Sequence, residues 1–172
     1  MTPIKTERLR LRRLTEDDAP LILAVLTDPD FLRNVGDRGV HNNEEARRYI
    51  ADGPQAMYHE HGFGLYLVEL ADGTPVGTCG LIKRDGLDDV DIGFAFLPRF
   101  RGRGYAREAA RAVMRYGREA LALKRIVAIV LPDNAPSVRL LEKIGLRVEG
   151  KVTLPGDDEE LLLMAWEAGN SM

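Results

Sequence analysis

The sequence predicts an α/β fold: one domain, residues 1–172, built on a mixed, mostly antiparallel sheet with helices on both faces. Three observations carry this. The chain has 172 residues and is 45% hydrophobic, which suits a single compact core. Its apolar periodicity switches between 2 and 3.6 in the order β-α-α-β-β-β-α-β-α-β-β. Short turn signals, and no linker or repeat, separate the segments.

In chain order, residues 5–14 alternate polar and apolar and read as a strand. Two helices follow over about 16–27, with Thr15 as cap, and 43–60, with Asn42 or Asn43 as cap. Strands at 63–70 and 75–83 flank Ala71-Asp72-Gly73-Thr74, a hairpin turn by its Asp-Gly. A strand at 90–97 leads through a glycine-and-arginine turn into a helix at 104–121. A strand at 125–131, a helix at 135–144 and strands at 146–154 and 159–167 complete the chain.

The turn after residue 97 carries the chemistry. Ala106, Ala109, Ala110, Val113 and Met114 share one face of the helix that follows it. Gly102 and Gly104 permit positive φ and a close approach of backbone to ligand. The first amides of the helix lack partners within it and lie at its positive end, so the turn is a ready phosphate site. Arg99, Arg101, Arg103 and Arg107 put four positive charges within nine residues of a chain whose net charge is −3. A solvated helix start explains the arginines alone, but not the arginines, the two glycines and the strand-to-helix context together. No Walker loop is present, and Arg107 stands where a dinucleotide fingerprint needs a small residue.

Arg99-Phe100-Arg101-Gly102-Arg103-Gly104 matches Arg/Gln-x-x-Gly-x-Gly/Ala and resembles the coenzyme A pyrophosphate loop of the GCN5-related N-acetyltransferases. Residues 133–146 resemble that superfamily's second coenzyme A motif through Asn134, Ser137, Lys143 and Gly145. Read locally, Asn134 is a helix cap, Pro136 is tolerated in the first turn, and Gly145 ends the helix. The opening Thr6-Glu7-Arg8-Leu9-Arg10-Leu11-Arg12-Arg13-Leu14 is similar to the start of the RimJ/RimL-like branch.

The resemblance implies acetyl-CoA as cosubstrate and a sheet whose strands at 90–97 and 125–131 splay apart to admit the pantetheine arm. It places Phe96, Leu97, Arg99, Arg101, Gly102, Arg103, Gly104, Tyr105, Ala106, Asn134, Ser137 and Lys143 around the cosubstrate. An acetyl group would pass to a primary amine, on a protein N-terminus or a small molecule, by direct attack on the thioester. A strand amide at Phe96 or Leu97 would stabilise the oxyanion, and holding both substrates in line would supply much of the acceleration. Many members carry a tyrosine seven residues after the motif asparagine as acid to the leaving thiolate. Here that position is Leu141, and Ser137 stands where RimL-type enzymes place a serine near the sulfur. Asp91 occupies the place of a branch glutamate and is the expected base. Glu69 and the run Asp157-Asp158-Glu159-Glu160 are alternatives, and turn-forming aspartates at 88–91 are the plain reading. A coenzyme A-binding regulatory module without catalysis is the rival from another class.

Other classes recede. Uninterrupted apolar runs such as Leu21–Leu26 and Leu161–Trp166 reach six residues, far below the ~20 needed to cross a bilayer. No signal segment is evident, so a cytoplasmic location and no membrane partner are expected. The single cysteine, Cys79, lies in an apolar run and reads as packing. His41, His59 and His61 lack partners at metal-site spacing, so no metal is expected. Acidic net charge and few aromatics argue against nucleic acid. A homodimer is left open.

Overall fold

The computed structural model describes residues 2–169. The alternating N-terminal stretch forms two strands where one was expected: β1 (Ile4–Lys5) and β2 (Leu9–Arg13) pair antiparallel, with Ile4 opposite Leu11. The cause is local. The Thr6 amide donates to the Leu9 carbonyl (2.9 Å), and the Thr6 hydroxyl accepts from the Leu9 amide (3.0 Å). A hydroxyl that satisfies nearby backbone in this way turns the chain, and period-2 alternation carries no trace of it.

The helices of the first half begin where short polar side chains can take up free amides. Before α1 (Ala19–Leu26) runs one 3-10 turn, Glu16–Asp18, and the Asp18 carboxylate reaches back to the Thr15 amide (2.8 Å). An unanticipated helix follows, α2 (Pro29–Asn34): Asp28 accepts from the Phe31 amide (3.2 Å) and Pro29 takes the first position. That Asp-Pro start is a legible capping signal, but six residues are too few to build a periodic stripe. The Asn42 side chain caps α3 (Asn43–Ile50), accepting from the Glu45 amide at 2.8 Å. From there the helical path widens into a π turn at Ala51–Gln55 around Pro54, resumes as α4 (Ala56–His61), and ends at left-handed Gly62. Proline cannot donate to the helical ladder, so the expected single helix is interrupted there.

The remaining elements are β3 (Leu65–Leu70), β4 (Pro75–Ile82), β5 (Asp91–Phe96), α5 (Tyr105–Glu119), β6 (Arg125–Val130), α6 (Ala135–Lys143), β7 (Arg147–Val152) and β8 (Leu161–Glu167). The eight strands form one sheet in the order β1-β2-β3-β4-β5-β6-β8-β7, antiparallel throughout except between β5 and β6.

Alternation along the strands sends successive side chains to opposite faces, so the sheet has a core on each side. Tyr66, Val68, Leu81, Ile126 and Met164 pack with Ala109, Ala110, Val113 and Met114 of α5 and Leu141 of α6. On the other face, Leu67 packs with Leu21, Ile22, Ala46 and Ile50 of α1 and α3. Each fully buried large side chain contributes roughly 1.5–3 kcal/mol of transfer free energy. Cys79 is fully buried in the first core, and burial pushes its thiol up, which keeps it uncharged and unreactive. Among the described residues no helix is long and apolar enough to cross a membrane.

Candidate active site

Among the described residues β5 and β6 are the sheet's only parallel neighbours, and a single register pair joins them, Asp91 opposite Val127. The Val127 amide donates to the Val90 carbonyl (3.0 Å) at that point. β4 and β5, in contrast, align from Ile82–Asp91 to Gly77–Phe96. Beyond Asp91, therefore, β5 has a partner on one side only, and the two parallel strands part toward their carboxyl ends. Both strands then run toward helices, β5 to α5 and β6 to α6, so both helix N-termini follow the carboxyl ends of the parallel pair. A crevice outside the carboxyl ends of parallel strands is where open α/β sheets take ligands.

Strand alternation decides which amides face it. The Leu97 amide donates to the Val76 carbonyl (3.0 Å), and the Leu97 carbonyl accepts from the Phe100 amide (3.0 Å). Amides along β5 alternate in direction, so those of Phe94 and Phe96 point away from β4, toward the opening. Of the two residues expected to offer an oxyanion donor, Phe96 presents its amide and Leu97 does not.

In the loop, Gly102 (φ +76°) and Gly104 (φ +82°) both adopt the left-handed conformation that favours glycine. The first bond within α5 runs from the Glu108 amide to the Gly104 carbonyl (3.0 Å). The amides of Tyr105, Ala106 and Arg107 therefore have no helical acceptor and sit at the positive end of the helix. Arg99 and Arg103 are exposed, and the Arg99 guanidinium lies over the Phe100 ring. Arg101 differs from expectation. Its guanidinium donates to Asp28 (2.8 Å), Asp30 (2.5 Å) and the Phe96 carbonyl (3.0 Å), which ties α2 to the loop. Charge-assisted bonds to two carboxylates leave it no fork to offer a phosphate. A hydrogen bond from Arg101 in turn holds the Asp30 carboxyl below its ordinary range.

At the second helix, Asn134 sits at the N-cap position, yet its side chain makes no capping hydrogen bond. The local reading of this residue as a cap is thus not realised, and the residue is half-buried at the start of α6. Ser137 lies one turn into α6 and is likewise half-buried. Leu141 is 2% exposed and belongs to the core. Lys143 is the last residue of α6, roughly 12 Å along the axis from Ala135, and is exposed beside Arg139, Glu142 and Arg147. The left-handed Gly145 closes the helix, with Leu146 donating to the Leu141 carbonyl (3.0 Å) and Gly145 to that of Glu142 (3.1 Å).

Because no cap bond is at stake, Asn134→Ala should leave the melting temperature within about 2 °C of wild type. If the amide contacts acetyl-CoA, affinity should fall about fivefold, the worth of one hydrogen bond. Calorimetry with the folded variant reads both.

The acids are distributed unevenly. Asp91, the expected base, has a side chain only 1% exposed, and both oxygens accept from Arg84 at 3.0 Å. Burial pushes its carboxyl above the ordinary range, and the Arg84 charge opposes that. Glu69 is buried between Arg10 (3.6 Å) and Arg12 (3.3 Å). Asp89 is taken by Arg125 (2.9 Å), which also holds Glu149 and Glu167. Asp157, Asp158, Glu159 and Glu160 are exposed in the β7–β8 loop. That loop lies against the β4–β5 loop, since a Cβ built on Gly86 would come within 2.4 Å of Pro155. Among the described residues no group of three metal-ligating side chains clusters. The residue that sequence reasoning missed is Arg8, whose guanidinium donates to the Arg103 carbonyl inside the loop (2.9 Å).

Comparisons with known proteins agree with this geometry. The chain is 34% identical over 153 residues to the uncharacterized N-acetyltransferase YoaA of Bacillus subtilis, covering 87% of this chain and 86% of the relative. It is 30% identical over 158 residues to YnaD of the same organism, again described as an N-acetyltransferase, covering 91% and 90%. A crystal structure of a GNAT-family acetyltransferase from Bacillus anthracis superposes with a TM-score of 0.80 at 29% identity, covering 96% of this chain and 98% of that one. A complex of RimL, a ribosomal L7/L12 α-N-protein acetyltransferase, with coenzyme A shares the fold at a TM-score of 0.80 and 21% identity, covering 96% and 98%. The family model described as an acetyltransferase (GNAT) domain matches residues 8–147, a span that contains the parting strands and both helices that follow them, and the chain belongs to that family as an acyltransferase.

Proposed function

We propose that the protein is an acetyl-CoA-dependent N-acetyltransferase of the RimJ/RimL-like branch, acting on a primary amine of a protein N-terminus or a small molecule. The observation that carries this is the single-bridge parallel pair β5–β6 with two helix N-termini following its carboxyl ends. The residues fit the cosubstrate: three amides at the start of α5 lack acceptors, Gly102 and Gly104 clear the approach, and Asn134 makes no cap bond. Acetyl-CoA supplies a thioester carbonyl. The Tyr105, Ala106 and Arg107 amides hold its pyrophosphate, with Arg99 and Arg103 adding charge. The Phe96 amide stabilises the oxyanion, and the Ser137 hydroxyl donates to the departing sulfur.

The acceptor amine must reach the carbonyl uncharged, although a free amine is mostly protonated at neutral pH. Asp91 is a poor base in this geometry, because the oxygens that would take the proton are held by Arg84. The reading favours water, or an exposed acid such as Glu159 in the β7–β8 loop. Relatives named for both acceptor classes support keeping both: RimL acts on a protein N-terminus, and a spermidine N(1)-acetyltransferase of Escherichia coli is 25% identical over 123 residues, covering 64% of this chain and 66% of that protein.

The test is thiol release from acetyl-CoA with a panel of peptides bearing free N-termini, polyamines, amino acids and amino sugars. Turnover on one class assigns the acceptor. Tight acetyl-CoA binding with no turnover on any amine would replace this reading with the non-catalytic binding module.

A further inference from the structure

We propose that Arg8, on the turn between β1 and β2, is a positioning residue for acetyl-CoA: with Thr6 and Glu108 it clamps the 102–106 loop in its ligand-binding shape. The proposal rests on the reading above, in which that loop takes the pyrophosphate.

The loop needs an external hold. Residues 101–104 are all exposed and include two glycines, the residues that lose most conformational freedom on ordering. Backbone bonding stops at the Arg101 amide on Pro98 (3.1 Å) and resumes with the Glu108 amide on Gly104 (3.0 Å). Amides gain affinity for an anion only as far as they are already in place before it arrives.

Arg8 supplies that hold from a distant part of the chain. Its Nη1 donates to the Arg103 carbonyl (2.9 Å), its Nε to Glu108 Oε1 (2.7 Å), and its backbone amide to Glu108 Oε2 (2.9 Å). The Thr6 hydroxyl donates to the same Oε2. The guanidinium also lies 4.6 Å above the centre of the Tyr105 ring, the first residue of α5. One side chain thus touches the middle of the loop, the start of the helix and its first turn.

The charge arrangement gives Arg8 a second part. Glu108 lies in the first turn of α5, at the same positive helix end that an incoming pyrophosphate would use. Left alone, its carboxylate would repel that ligand. Burial works to raise Glu108's pKa, but hydrogen bonds from Thr6 and Arg8 hold it below its ordinary range, so it stays ionised. Arg8 neutralises the charge in place.

This predicts an unusual double-mutant pattern. Arg8→Met keeps the apolar stem over Tyr105 but removes every side-chain donor, and should lower acetyl-CoA affinity about threefold to tenfold. Adding Glu108→Gln to Arg8→Met removes the exposed repulsion and should recover part of the loss, so the double variant binds better than the single one. KM for acetyl-CoA should rise in Arg8→Met, while kcat at saturation and KM for the amine stay near wild type. Amide hydrogen exchange on the ligand-free protein should speed up at 108–111, the first bonded amides of α5, whose acceptors begin at Gly104, with the rest of α5 unchanged.

Unchanged exchange at 108–111 would overturn the clamp. So would exchange raised equally along α5 and the β1–β2 hairpin, which would mark a general stabilising contact, or a double variant that binds worse than Arg8→Met. If the wild-type protein binds no acetyl-CoA, the functional reading fails, yet the exchange comparison still decides whether Arg8 holds the loop.

Discussion

Gly104→Val is expected to weaken acetyl-CoA binding by more than about tenfold, or ~1.4 kcal/mol, while the protein stays folded. Two physical effects act together. Gly104 sits at φ +82°, where a β-branched residue is strained, so valine would push the backbone out of the left-handed region and re-aim the amides that follow. In addition, a Cβ at this position meets the Arg8 guanidinium at 3.2 Å. The position is crowded before any ligand arrives. Gly102→Ala is the control: at φ +76° it carries the same type of strain, but no atom lies within 4 Å of the added carbon. Its loss of affinity should be clearly smaller. Calorimetry on both variants, with circular dichroism to confirm folding, separates loop strain from crowding. Equal affinity in wild type and Gly104→Val would remove the pyrophosphate assignment from this loop.

What the sequence made legible follows from how far each signal reaches along the chain. α5 carries its buried face in Ala109, Ala110, Val113 and Met114, and its boundaries fell within two residues of expectation. The strands from β3 to β8 were legible for the same reason, because apolar side chains at regular spacing must be buried somewhere. Three failures share a different cause. The β1–β2 turn depends on one hydroxyl of Thr6, α2 on one carboxylate of Asp28, and the break at Ala51–Gln55 on one proline. Single side chains such as these have no periodicity to reveal them. At the site, loop glycines and helix starts were legible because backbone geometry demands particular residue types. Partner choice was not. Arg101 and Asp91 carry the right charges, but their partners, Asp28 and Asp30 for the one and Arg84 for the other, come from other turns of the chain. Arg8 was hidden for the same reason, since 95 residues separate it from the carbonyl it holds.

The Arg84–Asp91 pair yields the largest expected effect on stability. Arg84→Met would strand a carboxylate that is 1% exposed at the one bridge holding β5 against β6. Breaking a buried pair from one side typically costs about 3–5 kcal/mol, well beyond an ordinary surface change. The sign of its pH dependence follows from the carboxyl. Burial already raises Asp91's pKa in the wild-type fold against the opposing charges of Arg84 and Lys83, and without Arg84 it rises further. A carboxyl whose folded pKa exceeds its unfolded value contributes most below the unfolded pKa, and that contribution is lost as pH rises through the folded one. The deficit of Arg84→Met relative to wild type should therefore be larger at pH 8 than at pH 5, as read from urea midpoints at each pH. A deficit independent of pH would mean that Asp91 reaches water or a new partner once Arg84 is gone. Activity provides the complementary reading. A true base is worth about 10²–10⁴ in rate, whereas Asp91→Asn should keep turnover within about tenfold of wild type with an unshifted pH profile. A larger loss that higher pH partly restores would put the proton on Asp91 after all, and would require Arg84 to swing away when the amine binds.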